Sequence, residues 1–412
     1  MTTLDTARSG AASGSPAEAG VGRGLLGTMI APPRFDDESY LDFVEGLRSF
    51  VLSRVNPVAA ASLRAAVAAR AGTAAEPAGA AAGPEAPATV PAAALDALEV
   101  DRLAADLPVV ALRNRLLRSS QEMIWQGVTE AYGRRADELR AMLDAPRPGW
   151  SGSLSLDPDL ELPDYLTDYH LQPGGYHSLD LAGFVYHYGT KVFWVGANDQ
   201  DQAKTAMVAA LPTPADGRVR RVLDLGCSVG QSTTALWERF PHAEVWGIDV
   251  AAPLLRYAAL RAARLGAGAH FAQGLAEDLD GTGGIGARFA DGSVDLVYAS
   301  ILFHEVPLEV GRRIVAGVHR VLRPGGLFVV SDLTLLTGES DVWADYDRRW
   351  DSTFNSEPHE YPFLRSDFTG LLREYFDPVE VRPSTMTTTW TATRAGQSSC
   401  AAGTPAAEEA HS

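Results

Sequence analysis

The stretch Val222-Leu223-Asp224-Leu225-Gly226-Cys227-Ser228-Val229-Gly230-Gln231-Ser232-Thr233 carries an apolar run into a turn of small residues and then into a helix-forming segment. The short apolar run ending at a glycine reads as a buried strand. Glycine in the turn lets a ligand approach the backbone closely, and free N–H groups at the start of the following helix favour negative charge. In open α/β sheets ligands settle beyond the carboxyl ends of the strands, where the strand order reverses. A dinucleotide-binding turn needs Gly-x-Gly-x-x-Gly, whereas here Asp224 precedes the turn and Gly226 and Gly230 are separated by Cys-Ser-Val. A carboxylate in that place suits a cationic amino-acid group better than a pyrophosphate.

Strand and helix patterns alternate downstream. The periodicity predicts strands at 219–225, 244–248, 269–271, 294–299 and 327–331, with helices at 232–240, 253–265, 309–322 and 366–376. A closing antiparallel pair is expected at 379–381 and 387–391. The fold class is therefore α/β, with a doubly wound, mostly parallel sheet of seven strands.

The motif resembles the first motif of the class I S-adenosylmethionine (SAM)-dependent methyltransferases, in which an acidic residue precedes Gly-x-Gly-x-Gly or a close variant. Asp224-Leu225-Gly226-Cys227-Ser228-Val229-Gly230 fits, with Ser228 in the place of the middle glycine. The resemblance continues in family order through Gly247-Ile248-Asp249-Val250, Ala276-Glu277-Asp278, Asp295 to Ser300, and Pro324-Gly325-Gly326 before a fifth strand. It covers roughly residues 186–394 and implies a Rossmann-like fold with SAM as cofactor. The implied cofactor contacts are Asp224, Gly226, Cys227, Ser228 and Gly230 at the turn, Asp249 and Val250 at the ribose, Glu277 and Asp278 near the adenine, and Ser300. Leu275 stands where relatives often carry Asp, so the adenine amino group falls to Glu277, Asp278 or a backbone carbonyl.

Upstream of this region the sequence changes character. Residues 1–33 and 395–412 read as disordered ends, and 34–145 as a helical module with an Ala/Pro/Gly-rich linker near 59–94. Residues 146–200 concentrate Tyr, His, Pro and Gly and read as a lid over the SAM-binding domain at 201–394. The helices of the module could pair across a two-fold axis as a homodimer or cap their own domain.

The charge excludes some partners. Thirty-five Lys plus Arg stand against 52 Asp plus Glu, a net charge of −17, with no basic run to neutralise a phosphate backbone. A nucleic-acid acceptor is not expected, nor is a membrane span, since the apolar piece 25–30 is too short. With Cys227 and Cys400 as the only cysteines, no disulfide framework is expected, and a cytoplasmic location is the default reading.

Methyl transfer from a sulfonium needs acceptor and methyl held in line and water excluded. For a hydroxyl acceptor a general base within reach also helps, and His304, after the fourth strand, is the expected base. The acceptor is expected to be a small molecule, methylated on oxygen or carbon, bound between the lid and the insertion at 343–363. His170, Tyr176, Tyr188 and His359 are its candidate contacts. No metal is expected, because no paired histidine spacing such as His-Glu-x-x-His occurs. The competing readings are a non-methylating enzyme on the same cofactor and a SAM-sensing binding protein.

Overall fold

The computed structural model describes residues 27–72, 89–282, 284–337, 339–384 and 387–396. Its centre is an eight-stranded sheet built from β1 (Ser153–Ser155), β2 (Arg221–Leu225), β3 (Glu244–Asp249), β4 (His270–Gln273), β5 (Val294–Ser300), β6 (Leu322–Leu333), β7 (Val379–Pro383) and β8 (Thr387–Thr393). The strand order is β1-β4-β3-β2-β5-β6-β8-β7, parallel throughout except that β8 runs antiparallel to β6 and β7. Seven of these strands lie where the alternating pattern placed them. The eighth, β1, is a three-residue edge strand within the expected lid, pairing Leu154 with Phe271.

The helices in chain order are α1 (Phe35–Phe50), α2 (Asn56–Ala71), α3 (Ala97–Ala105), α4 (Pro108–Gly133), α5 (Ala136–Asp144), α6 (Ala182–Phe193), α7 (Gln202–Ala209), α8 (Gln231–Arg239) and α9 (Ala252–Leu265). They continue with α10 (Leu308–Val321), α11 (Val342–Phe354), α12 (Glu360–Leu364) and α13 (Phe368–Tyr375). Side chains alternate across the sheet, so β2 and β5 bury Leu223, Leu225, Val297 and Ala299 on one face and Val222, Leu296 and Tyr298 on the other. Both faces are covered, as near-continuous apolar strands require. The chain leaves β2 toward β3 on one side and returns to β5 on the other, which makes the carboxyl ends of β2 and β5 the switch point.

The helical module is not separate from this domain. Ile30, Leu41, Val44, Ile124 and Trp125 share one core with Phe184 and Tyr188 of α6 and with Leu254 and Tyr257 of α9. On α1 the buried stripe is Leu41, Val44 and, just beyond its end, Val51, while Phe43 and Phe50 face outward. The module also grips α11, where Val342, Trp343 and Tyr346 pack against α2 and α3. Arg64 binds Asp341 with Nε and Nη2, and Arg113 pairs with Asp347. These helices therefore cap their own domain and hold the insertion after β6 over the carboxyl ends of the strands.

Two boundaries differ from expectation. Residues 59–71, expected in the linker, belong to α2, because alanine is the strongest helix former and small side chains let the helix pack closely around Leu63 and Val67. Of that linker, residues 73–88 lie outside the described residues. The expected disordered start ends early: Thr28 donates from N and Oγ1 to Asp201 Oδ2 at 2.7 and 2.6 Å, and Ile30 N donates to Tyr257 Oη at 2.9 Å. Residues 1–26 and 397–412, the rest of the two expected disordered ends, are outside the described residues.

Candidate active site

A pocket opens at the switch point. Its floor is the β2 turn. Gly226 has φ +65°, and a Cβ there would stand 3.0 Å from Leu302, so only glycine leaves the floor open. Gly230 (φ +74°) starts α8 just behind the wall, where an added Cβ would meet Phe271 at 3.0 Å. Ser228 also takes a positive φ, +51°, and its N–H donates to Asp249 Oδ2 at 2.8 Å. Ala251 N donates to the other oxygen at 2.9 Å. Two backbone donors thus fix the Asp249 carboxylate on the pocket wall, while burial raises its pKa against their opposing pull.

Charge of both signs meets at the floor. Asp224 is buried beneath it and accepts from Ser232 Oγ at 2.7 Å and Thr233 Oγ1 at 2.6 Å. Burial lifts its pKa to about 6, although these hydroxyls and Lys204 favour the charged form. Lys204, from α7, lines the pocket and donates to Ser300 Oγ at 2.8 Å. Burial lowers its pKa, and Asp224, Asp332 and Glu305 act against that fall. Toward the other end lie Ile248, Val250, Leu254, Leu275 and Ala276, an apolar slot closed by Glu277. Glu277 accepts from Tyr165 Oη at 2.8 Å and faces Arg313 at 3.5 Å.

The remaining wall is aromatic, formed by Tyr165, Tyr169, Tyr176 and Tyr186 with Glu305 among them. Tyr169 stacks on Tyr176 with centroids 5.6 Å apart, and Tyr186 meets Tyr176 edge-on at 5.3 Å. Burial lifts the Glu305 pKa to about 7. Ile301, also on the wall, has φ +58°. A β-branched residue in that region costs about 1–3 kcal/mol, and strain of this kind concentrates at functional sites.

Of the residues expected at the cofactor, Gly226, Cys227, Ser228, Asp249, Val250, Glu277 and Ser300 line this one pocket. Asp224 and Gly230 lie directly behind its wall. Asp278 does not reach it: in the turn at Ala276–Asp278 its side chain points to solvent while Glu277 turns inward. Tyr176 is on the wall as expected. Tyr188 is not, since it is buried in the core between α4 and α6. His359 packs behind Tyr165, its Nε2 3.4 Å from the Tyr165 carbonyl oxygen. His170 lies behind the tyrosines, its Nδ1 2.7 Å from Glu357 Oε1.

His304 is also absent from the wall. Its Nδ1 is 2.6 Å from Asp332 Oδ1, whose partner oxygen accepts from Leu302 N and Phe303 N at 3.1 and 2.8 Å. Burial alone lowers a histidine pKa, but Asp332 overrides this and lifts His304 to about 10. Paired with Asp332 and outside the pocket lining, His304 is not in contact with the acceptor chamber, where the base role expected of it would place it. Its pairing instead braces the turn that presents Glu305.

The fold and site define an α/β domain whose switch-point pocket takes a nucleoside joined to a zwitterionic amino acid. Asp224 and Lys204 match an ammonium and a carboxylate, Asp249 matches a pair of hydroxyls, and the apolar slot matches a base. Residues 222–326 match the family model described as a methyltransferase domain. That match falls within the stretch whose motifs resemble the class I SAM-dependent methyltransferases. An uncharacterized methyltransferase of Synechocystis sp. is 39% identical over 114 residues, 28% of this chain and 47% of that protein. A ribosomal RNA large subunit methyltransferase G of Streptomyces coelicolor is 41% identical over 123 residues, covering 29% and 31% of the two chains. A trans-aconitate 2-methyltransferase of Deinococcus radiodurans is 34% identical over 110 residues, covering 27% and 36%. The chain thus spans less than half the length of these relatives. The donor set fits S-adenosylmethionine, the cofactor of this family.

Proposed function

We propose that this protein transfers a methyl group from SAM to a small-molecule acceptor, with oxygen or carbon as the favoured atom. The observation that carries this reading is a single pocket whose one half holds Lys204 and Asp249, with Asp224 buried directly behind the wall, and whose other half is walled by four tyrosines and Glu305. When bound, SAM supplies an electrophilic methyl on a sulfonium. Asp249 and the turn at Gly226 to Ser228 hold the nucleoside, and Lys204 with Asp224 orients the amino acid. The tyrosines exclude water and restrict the acceptor to an in-line approach, which accounts for most of what such a displacement requires. Glu305 is the wall carboxylate placed to orient the acceptor.

A net charge of −17 opposes a polyanionic acceptor. One of the relatives is named for a small-molecule acceptor, trans-aconitate. The test is incubation of the purified protein with methyl-labelled SAM and a fractionated small-metabolite extract. Label appearing in a compound below 1 kDa supports the reading. Tight cofactor binding with no transfer to any fraction favours a sensing role instead.

A further inference from the structure

Behind the tyrosine wall, three segments far apart in the chain bring ligand-type side chains together. His170 comes from the lid turn, Glu305 from the turn after β5, and Glu357 from the turn between α11 and α12. One donor atom from each lies within 4.8 Å of the other two. His170 Nδ1 is 2.7 Å from Glu357 Oε1, and His170 Nε2 is 4.0 Å from Glu305 Oε1. Two atoms each about 2.1 Å from one ion stand 3 to 4 Å apart, so the Nε2 to Oε1 spacing suits a bridging ion.

His304 is committed to Asp332 and Arg348 to Glu360, so neither pairs directly with Glu305 or Glu357. Glu357 is 1% exposed, and its Oε2 meets no donor among the described residues. A buried carboxylate oxygen without a partner is costly, and a cation removes that cost.

We propose that His170, Glu305 and Glu357 form a binding site for one divalent transition-metal ion of the zinc or manganese class. One imidazole and two carboxyl groups match these ions in donor type. Neighbouring groups hold the ligands in place. Gln121 Nε2 donates to the His170 carbonyl at 2.9 Å, Tyr169 Oη donates to the Glu305 carbonyl at 2.8 Å, and His170 N donates to Glu357 Oε1 at 3.1 Å. The ion would tie the lid, the β5 turn and the insertion into one clamp, and Glu305 places it at the edge of the acceptor chamber. The absence of a paired histidine spacing says nothing here, because each ligand comes from a different segment.

The test uses full-length protein stripped with a chelator and dialysed. Calorimetric titration with Zn²⁺ and absorption titration with Co²⁺ are expected to give one equivalent bound, with visible cobalt bands that require protein ligands. Glu357→Gln and His170→Asn, the latter tolerant of the left-handed backbone at this position (φ 56°), should each weaken binding at least tenfold. Both variants should still bind S-adenosylhomocysteine, which shows that they are folded. Absence of metal binding by wild-type protein that binds S-adenosylhomocysteine overturns the proposal. So does an unchanged metal affinity in both variants.

Discussion

Asp224→Asn separates the cost of a buried carboxylate from its use. Asp224 is 1% exposed, and burial lifts its pKa from 3.8 to about 6. At 1.36 kcal/mol per tenfold change, keeping the group ionised in the folded protein costs up to ~3 kcal/mol. The sign follows from linkage. Below pH 3.8 the group is protonated in both states and costs nothing; between 3.8 and about 6 the unfolded chain ionises first, and above 6 the full penalty is present. The asparagine keeps a carbonyl oxygen for Ser232 and Thr233. The variant should therefore be more stable than wild type at pH 8, by up to ~3 kcal/mol, with the gain fading by pH 4. Its affinity for SAM should fall about tenfold or more, the value of one charge-assisted contact to an ammonium. Urea unfolding at pH 4, 6 and 8 reads the first effect and calorimetry the second. A variant less stable at pH 8, or one whose stability change does not vary with pH, refutes the reasoning.

Other substitutions probe the remaining parts of the site. Lys204→Ala should weaken S-adenosylhomocysteine about tenfold but leave 5′-methylthioadenosine, which lacks the amino-acid group, unchanged; calorimetry with both ligands compares them. His304→Ala should cost about 3–5 kcal/mol by leaving Asp332 buried without its cation, whereas methyl transfer per folded molecule should fall less than tenfold. Denaturant melts and label-transfer rates measure these two effects. Gly189→Ala should lower the melting temperature, because the new Cβ would stand 2.1 Å from Trp125 and force α4 and α6 apart, at about 1–3 kcal/mol.

Local features of the site were legible in the sequence and long-range ones were not. The β2 turn follows from spacing, because strand, turn and helix start are adjacent in the chain and one geometry dictates all three, and Asp249 follows from the family resemblance. The tyrosines illustrate the limit. Tyr186 and Tyr188 sit two residues apart on α6, about 200° around the helix, so one faces the pocket and the other the core. Composition cannot choose between them until the partner helices are placed. His304 and Glu305 follow the same rule within a single tight turn: Glu305 lines the pocket and His304 does not. Lys204 and Glu357 carry no local signal at all, since each acquires its meaning from a neighbour distant in the chain. The alanine-rich run of α2 failed for another reason: alanine serves both linkers and closely packed helices, and only the contacts with α3 and α11 decide.

The central claim is tested most directly by titrating the folded wild-type protein and Asp249→Ala with S-adenosylhomocysteine in a calorimeter. One equivalent bound at micromolar affinity by wild type, weakened at least tenfold in the variant, is the predicted result. Absence of binding by the folded wild type would contradict the assignment of this pocket to SAM.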